Sequence, residues 1–170
     1  MAMKATIICI LLSAYSIVNA QGISIEDSTL FDFWVGEWNL SWTNADGNIE
    51  RGTNHIEKIL DGKVIQEHFS DDKNSFKGTS ISVYNAQKKT WHQAWADNQG
   101  GYFDFEGSVV DGNRMFSTGA TEINGVKIIR RMVFHDIKQN TFTWDWEVSK
   151  DGGKSWELRW RINYKRKEKA

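Results

Sequence analysis

A few charged residues alternate with large apolar side chains, and these are the residues with which the chain could do chemistry. Glu67 lies between Ile65 and Phe69, so in an extended strand the three side chains share one face. Arg130 alternates in the same way with Met132. A charged group on an apolar face costs free energy unless it is paired or used. The spacing therefore predicts either an internal Glu67–Arg130 ion pair or a polar anchor for a bound molecule.

Glu67 also supports a catalytic interpretation. A carboxyl group that is removed from water has a raised pKa and can exchange a proton near neutral pH. The chain could therefore be a cofactor-free isomerase, cyclase or lyase that uses Glu67 as its acid or base. No residue pattern in the sequence selects one of these reactions.

The four histidines give no metal site. His55, His68, His92 and His135 lie in different predicted strands, and no pair has the spacing of metal ligands. A nucleophile elbow, a Cys-x-x-Cys pair and a phosphate-binding loop are also missing from the sequence. We therefore expect no metal and no cofactor.

Nine tryptophans in 170 residues supply large apolar walls. Trp91, Gln93 and Trp95 share one face of a predicted strand, so the Gln93 amide lies between two indoles. We expect the interior to bind a small apolar or amphipathic molecule, with Glu67, Gln93 and Arg130 at its polar end. The residues expected at this site are Trp38, Glu67, Trp91, Gln93, Trp95, Arg130, Trp144 and Trp146.

Turn signals divide the chain into strands that position these residues. Turn signals recur about every ten residues, and five of them are Asp-Gly or Asn-Gly pairs, which favour tight hairpin turns. Loops this short make neighbouring strands pair antiparallel, and a meander that closes leaves no free edge. The sequence therefore predicts an all-β, ten-stranded antiparallel meander closed as a barrel. The predicted strands are Gly36–Thr43, Ile49–Leu60, Lys63–Phe69, Lys77–Tyr84, Thr90–Asp97, Tyr102–Val110, Arg114–Glu122, Val126–His135, Thr141–Ser149 and Trp156–Lys165.

The last predicted hairpin indicates which face turns inward. Pairing Trp146 with Trp160 places the indoles on one face and pairs Glu147 with Arg159 on the other. We expect the apolar face inside the barrel and the charged face in solvent.

Residues Met1–Ala20 have the pattern of a secretory signal. Lys4 precedes the apolar run Ala5–Leu12, and Val18–Ala20 provides a cleavage site. The apolar run is too short for a membrane span. We therefore expect a periplasmic or secreted protein.

The rest of the chain is predicted to form a helical plug over residues 21–35 and a barrel over residues 36–166. Cys9, the only cysteine, lies in the signal, so no disulfide is expected. A formal net charge of −1 gives no basic excess for a nucleic-acid partner.

Export and abundant tryptophan also allow a carbohydrate-binding module, which would need several tryptophans on the outer face or rim.

The first and last strands carry a recognisable pair of features. Gly36-Glu37-Trp38 opens the first strand, and Arg166 follows the last one. This arrangement resembles the G-x-W signature of the calycins, the lipocalins and their relatives. The resemblance implies that Trp38 closes one end of the barrel and packs near Arg166.

Three longer segments resemble a bacterial family of unknown function with a calycin-like barrel: FDFWVGEW, Trp91–Asp97 and WEVSKDGGKSW. The likeness covers nearly the whole mature chain and implies a binding barrel without an established reaction. It favours Ser80 and Tyr84 inside, which adds Ser80 to the expected site. The topology is also distantly similar to nitrobindin-type barrels, in which one histidine binds haem, and His68 and His135 are the residues that could do so here.

The segment Ser149–Trp156 resembles an Asp-box, the S-x-D-x-G-x-[ST]-W hairpin known from sialidase propellers. A propeller repeats this motif in each blade, whereas this chain has one copy. We therefore expect Asp151 to hold a turn together by accepting backbone N–H groups.

Overall fold

The structure, a computed structural model, describes residues 24 and 26–168, so the signal predicted at Met1–Ala20 and the start of the plug lie outside the described residues. In the described part, no helix is long and apolar enough to cross a bilayer.

A short 3₁₀ helix, Asp32–Trp34, precedes the strands. The strands are β1 (Gly36–Thr43), β2 (Ile49–Ile59), β3 (Val64–Asp71), β4 (Phe76–Asn85), β5 (Thr90–Asp97), β6 (Tyr102–Val110), β7 (Asn113–Ser117), β8 (Thr121–Ile123), β9 (Val126–His135), β10 (Thr141–Ser149) and β11 (Glu157–Arg166).

The strands form a closed ring. From β1 to β7 each strand pairs antiparallel with the next, and β9 pairs with both β7 and β10. β11 joins β10 to β1 and returns the sheet to its start. Every strand of the ring is therefore hydrogen-bonded on both sides, which removes free sheet edges. The predicted fold class is confirmed: an all-β, ten-stranded antiparallel barrel, compatible with a calycin-like fold.

The strand predicted at Arg114–Glu122 is interrupted. Its two pieces, β7 and β8, both pair with β9, which is why eleven strands make a ring of ten. At the interruption the Thr118 N–H donates to the Arg130 carbonyl oxygen (2.9 Å), and the Arg130 N–H donates to Thr118 Oγ1 (3.0 Å). The hydroxyl group thus keeps the Arg130 backbone paired where the ladder is broken.

The last hairpin follows the predicted register only in part. Trp146 lies opposite Trp160 as predicted, but a bulge between Trp146 and Glu147 places Glu147 opposite Leu158. The predicted Glu147–Arg159 pair is therefore wrong. Instead, Arg131 Nε on β9 donates to Glu147 Oε2 (2.6 Å).

The Asp-box stabilises a local turn through hydrogen bonds to Asp151, as predicted. Asp151 accepts hydrogen bonds from the backbone N–H groups of Lys154 and Ser155, both at 3.0 Å. The hydroxyl groups of Ser149 and Ser155 also donate to it. These donors, led by Ser155, hold the pKa of Asp151 below its ordinary value.

The plug closes one end of the barrel with aromatic side chains. Phe31 is fully buried, and its ring stacks on Phe116 (4.4 Å between centroids) and meets the edge of Trp91 (5.1 Å). Trp34 packs against Phe134 in a T-shaped contact. In the described part of the plug, residues 24 and 26–35, the 3₁₀ helix Asp32–Trp34 is the only helix, so this part is less helical than predicted.

Arg166 locks the plug to the barrel. Its guanidinium carbon lies 4.1 Å from the ring centroid of Trp38, as the resemblance to the calycins implied. The same group donates to the carbonyl oxygens of Val35 (2.9 Å) and Phe33 (3.2 Å). Trp38 Nε1 donates to the Trp34 carbonyl oxygen (2.7 Å). Two ends of the chain that are distant in sequence are thereby joined at one end of the barrel.

Candidate functional site

A cavity of about 210 Å³ lies inside the barrel at the end away from the plug. On β10, for example, Phe142 belongs to the closed end, whereas Trp144 and Trp146 line the cavity. The inner lining is buried and consists of Glu67, Phe69, Phe105, Met132, Ile162 and Tyr164. The lining near the mouth is half-buried and consists of Phe76, Trp95, Asp97, Phe103, Arg130, Trp144, Trp146 and Trp160.

Indole rings form the walls in two orientations. Trp144 and Trp146 point to the same side of β10 because they are two residues apart, and their ring planes are nearly parallel, at 2°. Trp160 stands perpendicular to Trp144, with ring centroids 5.9 Å apart. A planar molecule in the cavity therefore meets aromatic faces and edges on adjacent sides.

Trp95 owes its position in the wall to a glycine. Gly78 on β4 faces inward, and a Cβ atom built there would lie 2.0 Å from Trp95 Cζ2. Trp95 Nε1 donates to Asp97 Oδ2 (3.2 Å), which fixes the other side of the ring. The indole thus occupies space that any larger residue at position 78 would take.

Replacing Gly78 by alanine is expected to push the Trp95 indole out of the wall. Overpacking of this kind costs about 1–3 kcal/mol, which corresponds to a fall in Tm of roughly 2–12 °C for a domain of this size. Thermal unfolding and tryptophan fluorescence measure both effects. Gly119→Ala is the matched control, since nothing lies within 4 Å of the added carbon. An unchanged Tm and spectrum for Gly78→Ala would contradict the wall geometry.

Glu67 lies at the inner end of the cavity and is 5% exposed. Asn54 Nδ2 donates to its Oε1 (2.6 Å), and the Ser80 hydroxyl donates to its Oε2 (2.7 Å). Burial raises the pKa of Glu67 to about 7, against the lowering effect of these two hydrogen bonds. The carboxyl group therefore exchanges its proton near neutral pH.

The polar side chains behind the cavity are rich in acceptors. Asn54 Nδ2 also donates to the hydroxyl oxygen of Tyr164 (3.2 Å), and Gln93 Nε2 donates to Ser82 Oγ (2.9 Å). Asn54 Oδ1 and Gln93 Oε1 are buried and have no hydrogen-bond donor among the described residues. The layer of polar side chains behind the inner lining thus has two amide oxygens without a donor among the described residues.

Arg130 does not pair with Glu67. No carboxylate of the described residues lies within 4.0 Å of its guanidinium group, whose carbon is 5.8 Å from the ring centroid of Phe103 near the mouth. The predicted internal ion pair is therefore wrong, because Asn54 and Ser80 take its place at Glu67. Arg130 is left as a half-buried cation beside an aromatic cavity.

Asp97 also lies at the mouth, where its own turn holds it. The N–H groups of Gln99 and Gly101 donate to Asp97 Oδ1, each at 2.9 Å. Burial alone would raise the pKa of Asp97, but the hydrogen bonds from Gly101, Trp95 and Gln99 outweigh it and lower that pKa. Asp97 therefore remains a carboxylate with its oxygens already occupied.

The nine residues expected at the site separate into three groups. Glu67, Trp95, Arg130, Trp144 and Trp146 line the cavity together. Ser80 and Gln93 face inward but are buried behind the lining, among the acceptor-rich side chains. Trp38 and Trp91 face inward at the closed end, apart from the cavity lining, and Trp91 Nε1 donates to the Asp27 carbonyl oxygen (3.0 Å).

Asn54 and Tyr164 were not among the residues expected at the site, although the sequence contains a signal for both. Tyr164 continues the inward alternation of Trp160 and Ile162, and Asn54 alternates with Ile56. An isolated amide on an apolar face is the same signal that identified Glu67.

The histidines lie away from the cavity. The rings of His55 and His68, on the neighbouring strands β2 and β3, stack with their centroids 6.1 Å apart. His135 Nε2 is 3.1 Å from Asp145 Oδ2. Neither His68 nor His135 belongs to the cavity lining, so neither can serve a group bound there.

The arrangement can enclose a small molecule between aromatic walls, present a titratable carboxyl group at its inner end and present a cation at its mouth. Neither the models of known protein families nor the curated proteins include a match to this chain.

Proposed function

We propose that this protein binds a small apolar or amphipathic molecule inside its barrel, as an exported binding protein of the calycin-like kind. The observation that carries the proposal is the cavity of about 210 Å³, whose walls are four indoles and whose inner end is polar. Export rests on the signal pattern of Met1–Ala20. The cavity is accessible to solvent and lined mainly by apolar surface. Binding of an apolar ligand there is favourable, because the ligand replaces water against this surface.

The volume limits the size of the ligand. A cavity of about 150 Å³ binds a benzene ring, whereas sites for drug-sized molecules begin at about 300 Å³. A space of about 210 Å³ therefore fits one ring with a short substituent, or a short aliphatic chain. Long-chain lipids exceed this space.

Phenethyl alcohol, a neutral molecule of this size, tests the proposal. Titration should give saturable quenching of the wall tryptophans, with a Kd on the order of 0.1–1 mM for a ligand with so few atoms. Gly78→Ala, which displaces one wall, should weaken this binding, whereas Gly119→Ala should not. The absence of saturable binding for this and other single-ring probes would overturn the proposal.

Arg130 is expected to hold the polar end of an acidic ligand. For phenylacetate, Arg130→Ala should raise the Kd by about 10-fold, because a charge-assisted hydrogen bond is lost. The Tm should change by less than about 2 °C, since Arg130 makes no ion pair with the described residues. Arg159→Ala is the matched control, because Arg159 lies on the outer face and contacts Glu157. Unchanged affinity with a large fall in Tm would assign Arg130 a purely structural role.

Catalysis by Glu67 is the second candidate, favoured by the pKa of about 7 that burial gives this group. An isomerase, cyclase or lyase could use it to move a proton at the inner end of a largely apolar site. In that case Glu67→Gln would retain ligand binding and lose turnover.

A carbohydrate-binding module has no comparable support. It needs several exposed tryptophans on the outer face or rim, whereas all nine tryptophans are buried or intermediate in exposure, and the four near the mouth line the cavity. Trp156, on the outside, is covered by the guanidinium group of Arg131 at 3.8 Å.

A further inference from the structure

We propose that the molecule bound in the cavity is a small amine whose ammonium group lies against Glu67 at the inner end. This inference rests on the proposed binding function and names the chemical class of the ligand. The same site would otherwise accept any small apolar compound of suitable size.

At the inner end of the cavity, Glu67 has only neutral hydrogen-bond partners among the described residues. Each oxygen of Glu67 receives one hydrogen bond, and both donors, Asn54 and Ser80, are neutral. No Lys, Arg or His side chain among the described residues lies within 4.0 Å of Glu67. An ammonium group brings three donors, no acceptor and one positive charge. It therefore supplies the positively charged donor that the described residues do not place beside the Glu67 carboxyl group.

The aromatic walls of the cavity also favour a cation. The faces of indole rings attract cations, and tryptophan does so more strongly than other aromatic residues. Trp144, Trp146 and Trp160 present rings in two perpendicular orientations around the cavity, and the Tyr164 ring adds an aromatic surface at the inner end. Recognition of ammonium ligands by several aromatic rings is a common use of this interaction.

The other polar groups around the cavity are compatible with this placement. Glu67 faces Asn54 from β2, Ser80 from β4 and Tyr164 from β11, and none of these carries a positive charge. The remaining charged lining residues, Asp97 on β5 and Arg130 on β9, are half-buried near the mouth. An amine that enters head first therefore leaves its outer end beside the Arg130 guanidinium, where an acceptor would be favoured.

Phenethylamine and phenethyl alcohol, which differ only in the charged head group, test the inference. At about pH 8 the amine should bind at least about 10-fold more tightly, as a buried charge pair predicts. Because burial raises the pKa of Glu67 to about 7, the carboxylate is lost on acidification. Amine affinity should therefore fall by up to about 30-fold between about pH 8.5 and about pH 5.5, while the alcohol affinity stays constant.

Three variants locate the effect. Glu67→Gln should make amine and alcohol affinities nearly equal and independent of pH. Glu50→Gln is the matched control, since Glu50 is a buried carboxylate that contacts Lys73 and does not line the cavity. Its amine preference should be that of the unaltered protein. If the preference disappears in Asp97→Asn and persists in Glu67→Gln, the amine lies at the mouth and the inference is wrong.

The outcomes separate this inference from the proposed function. Equal binding of amine and alcohol at every pH, or tighter binding of phenylacetate than of the amine at about pH 8, would overturn the amine assignment and leave the binding function intact. Failure of all three probes would overturn the binding function itself. The pH profile of the unaltered protein decides the question even if Glu67→Gln does not fold.

Discussion

Replacing Glu67 by glutamine is expected to stabilise the ligand-free protein by about 3 kcal/mol at about pH 8. Burial raises the pKa of Glu67 from 4.5 to about 7. The folded state therefore favours the protonated form. The contribution of this group to stability is complete below about pH 4.5 and is lost as the pH rises through about 7. Glutamine has no proton to lose and keeps its contribution at every pH.

The local geometry allows the replacement. The glutamine Oε1 can accept from Asn54 Nδ2, and its Nε2 can donate to Ser80 Oγ, because a hydroxyl group can accept as well as donate. Urea unfolding at about pH 5 and about pH 8 measures the effect, which should be several-fold larger at the higher pH. Glu50→Gln, which loses the contact with Lys73, should give no gain at either pH. A loss of stability at about pH 8 in Glu67→Gln would show that the folded protein favours the charged carboxylate.

A stabilising substitution at a binding residue is consistent with a functional role. Buried ionisable groups that cost stability are retained where a ligand or a reaction uses them. An ammonium ligand would recover part of this cost by giving Glu67 a counter-charge, so ligand binding should stabilise the protein most at high pH. Stability and binding thus vary with pH in opposite directions through the same carboxyl group.

Alternation along the strands predicted the inward direction of Glu67, Trp144 and Trp146. It placed Glu67 between Ile65 and Phe69 and put Trp144 and Trp146 on one face, and the structure buries or half-buries these residues inside the barrel. Period-two patterning depends only on the local extended backbone, which the turn signals delimit well.

Position along the barrel axis could not be predicted in the same way. Trp91 and Trp95 share a face of β5, yet Trp91 contacts the plug and Trp95 lines the cavity, because they lie at opposite ends of the strand. Likewise, an inward direction for Glu67 and Arg130 does not bring them together. Their separation depends on strand tilt and stagger around the whole ring, which no short segment encodes.

Irregularities in the ladder were also not evident from the sequence. The bulge after Trp146 shifts every later pair of the last hairpin, and the interruption at Thr118 divides a predicted strand. Both involve pairing with β9, which is distant in sequence. Arg131 Nε donates to Glu147 Oε2, and the Arg130 N–H donates to Thr118 Oγ1. Bulges of this kind are common at the rims of barrels and beside binding sites.

The closed end should be essential for folding, and Phe31→Ala is expected to cost about 3–5 kcal/mol. Phe31 is 0% exposed and packs against Phe116, Trp91 and Phe134, with ring centroids 4.4, 5.1 and 5.8 Å away. Truncation removes these contacts and leaves a void that rigid strands cannot fill. Urea unfolding gives the free energy, and Phe31→Leu, which retains most of the volume, should cost roughly 1–1.5 kcal/mol.

The same variant shows whether the two ends of the barrel are independent. The Phe31 ring contacts the closed end only, and the cavity is lined by other residues. Phenethylamine should therefore bind the folded fraction of Phe31→Ala with unchanged affinity, although the total population of folded protein falls. A cost below about 1 kcal/mol would mean that the plug is a detachable segment rather than part of the core. In that case the closed end could open, and ligands would have a second route to Glu67.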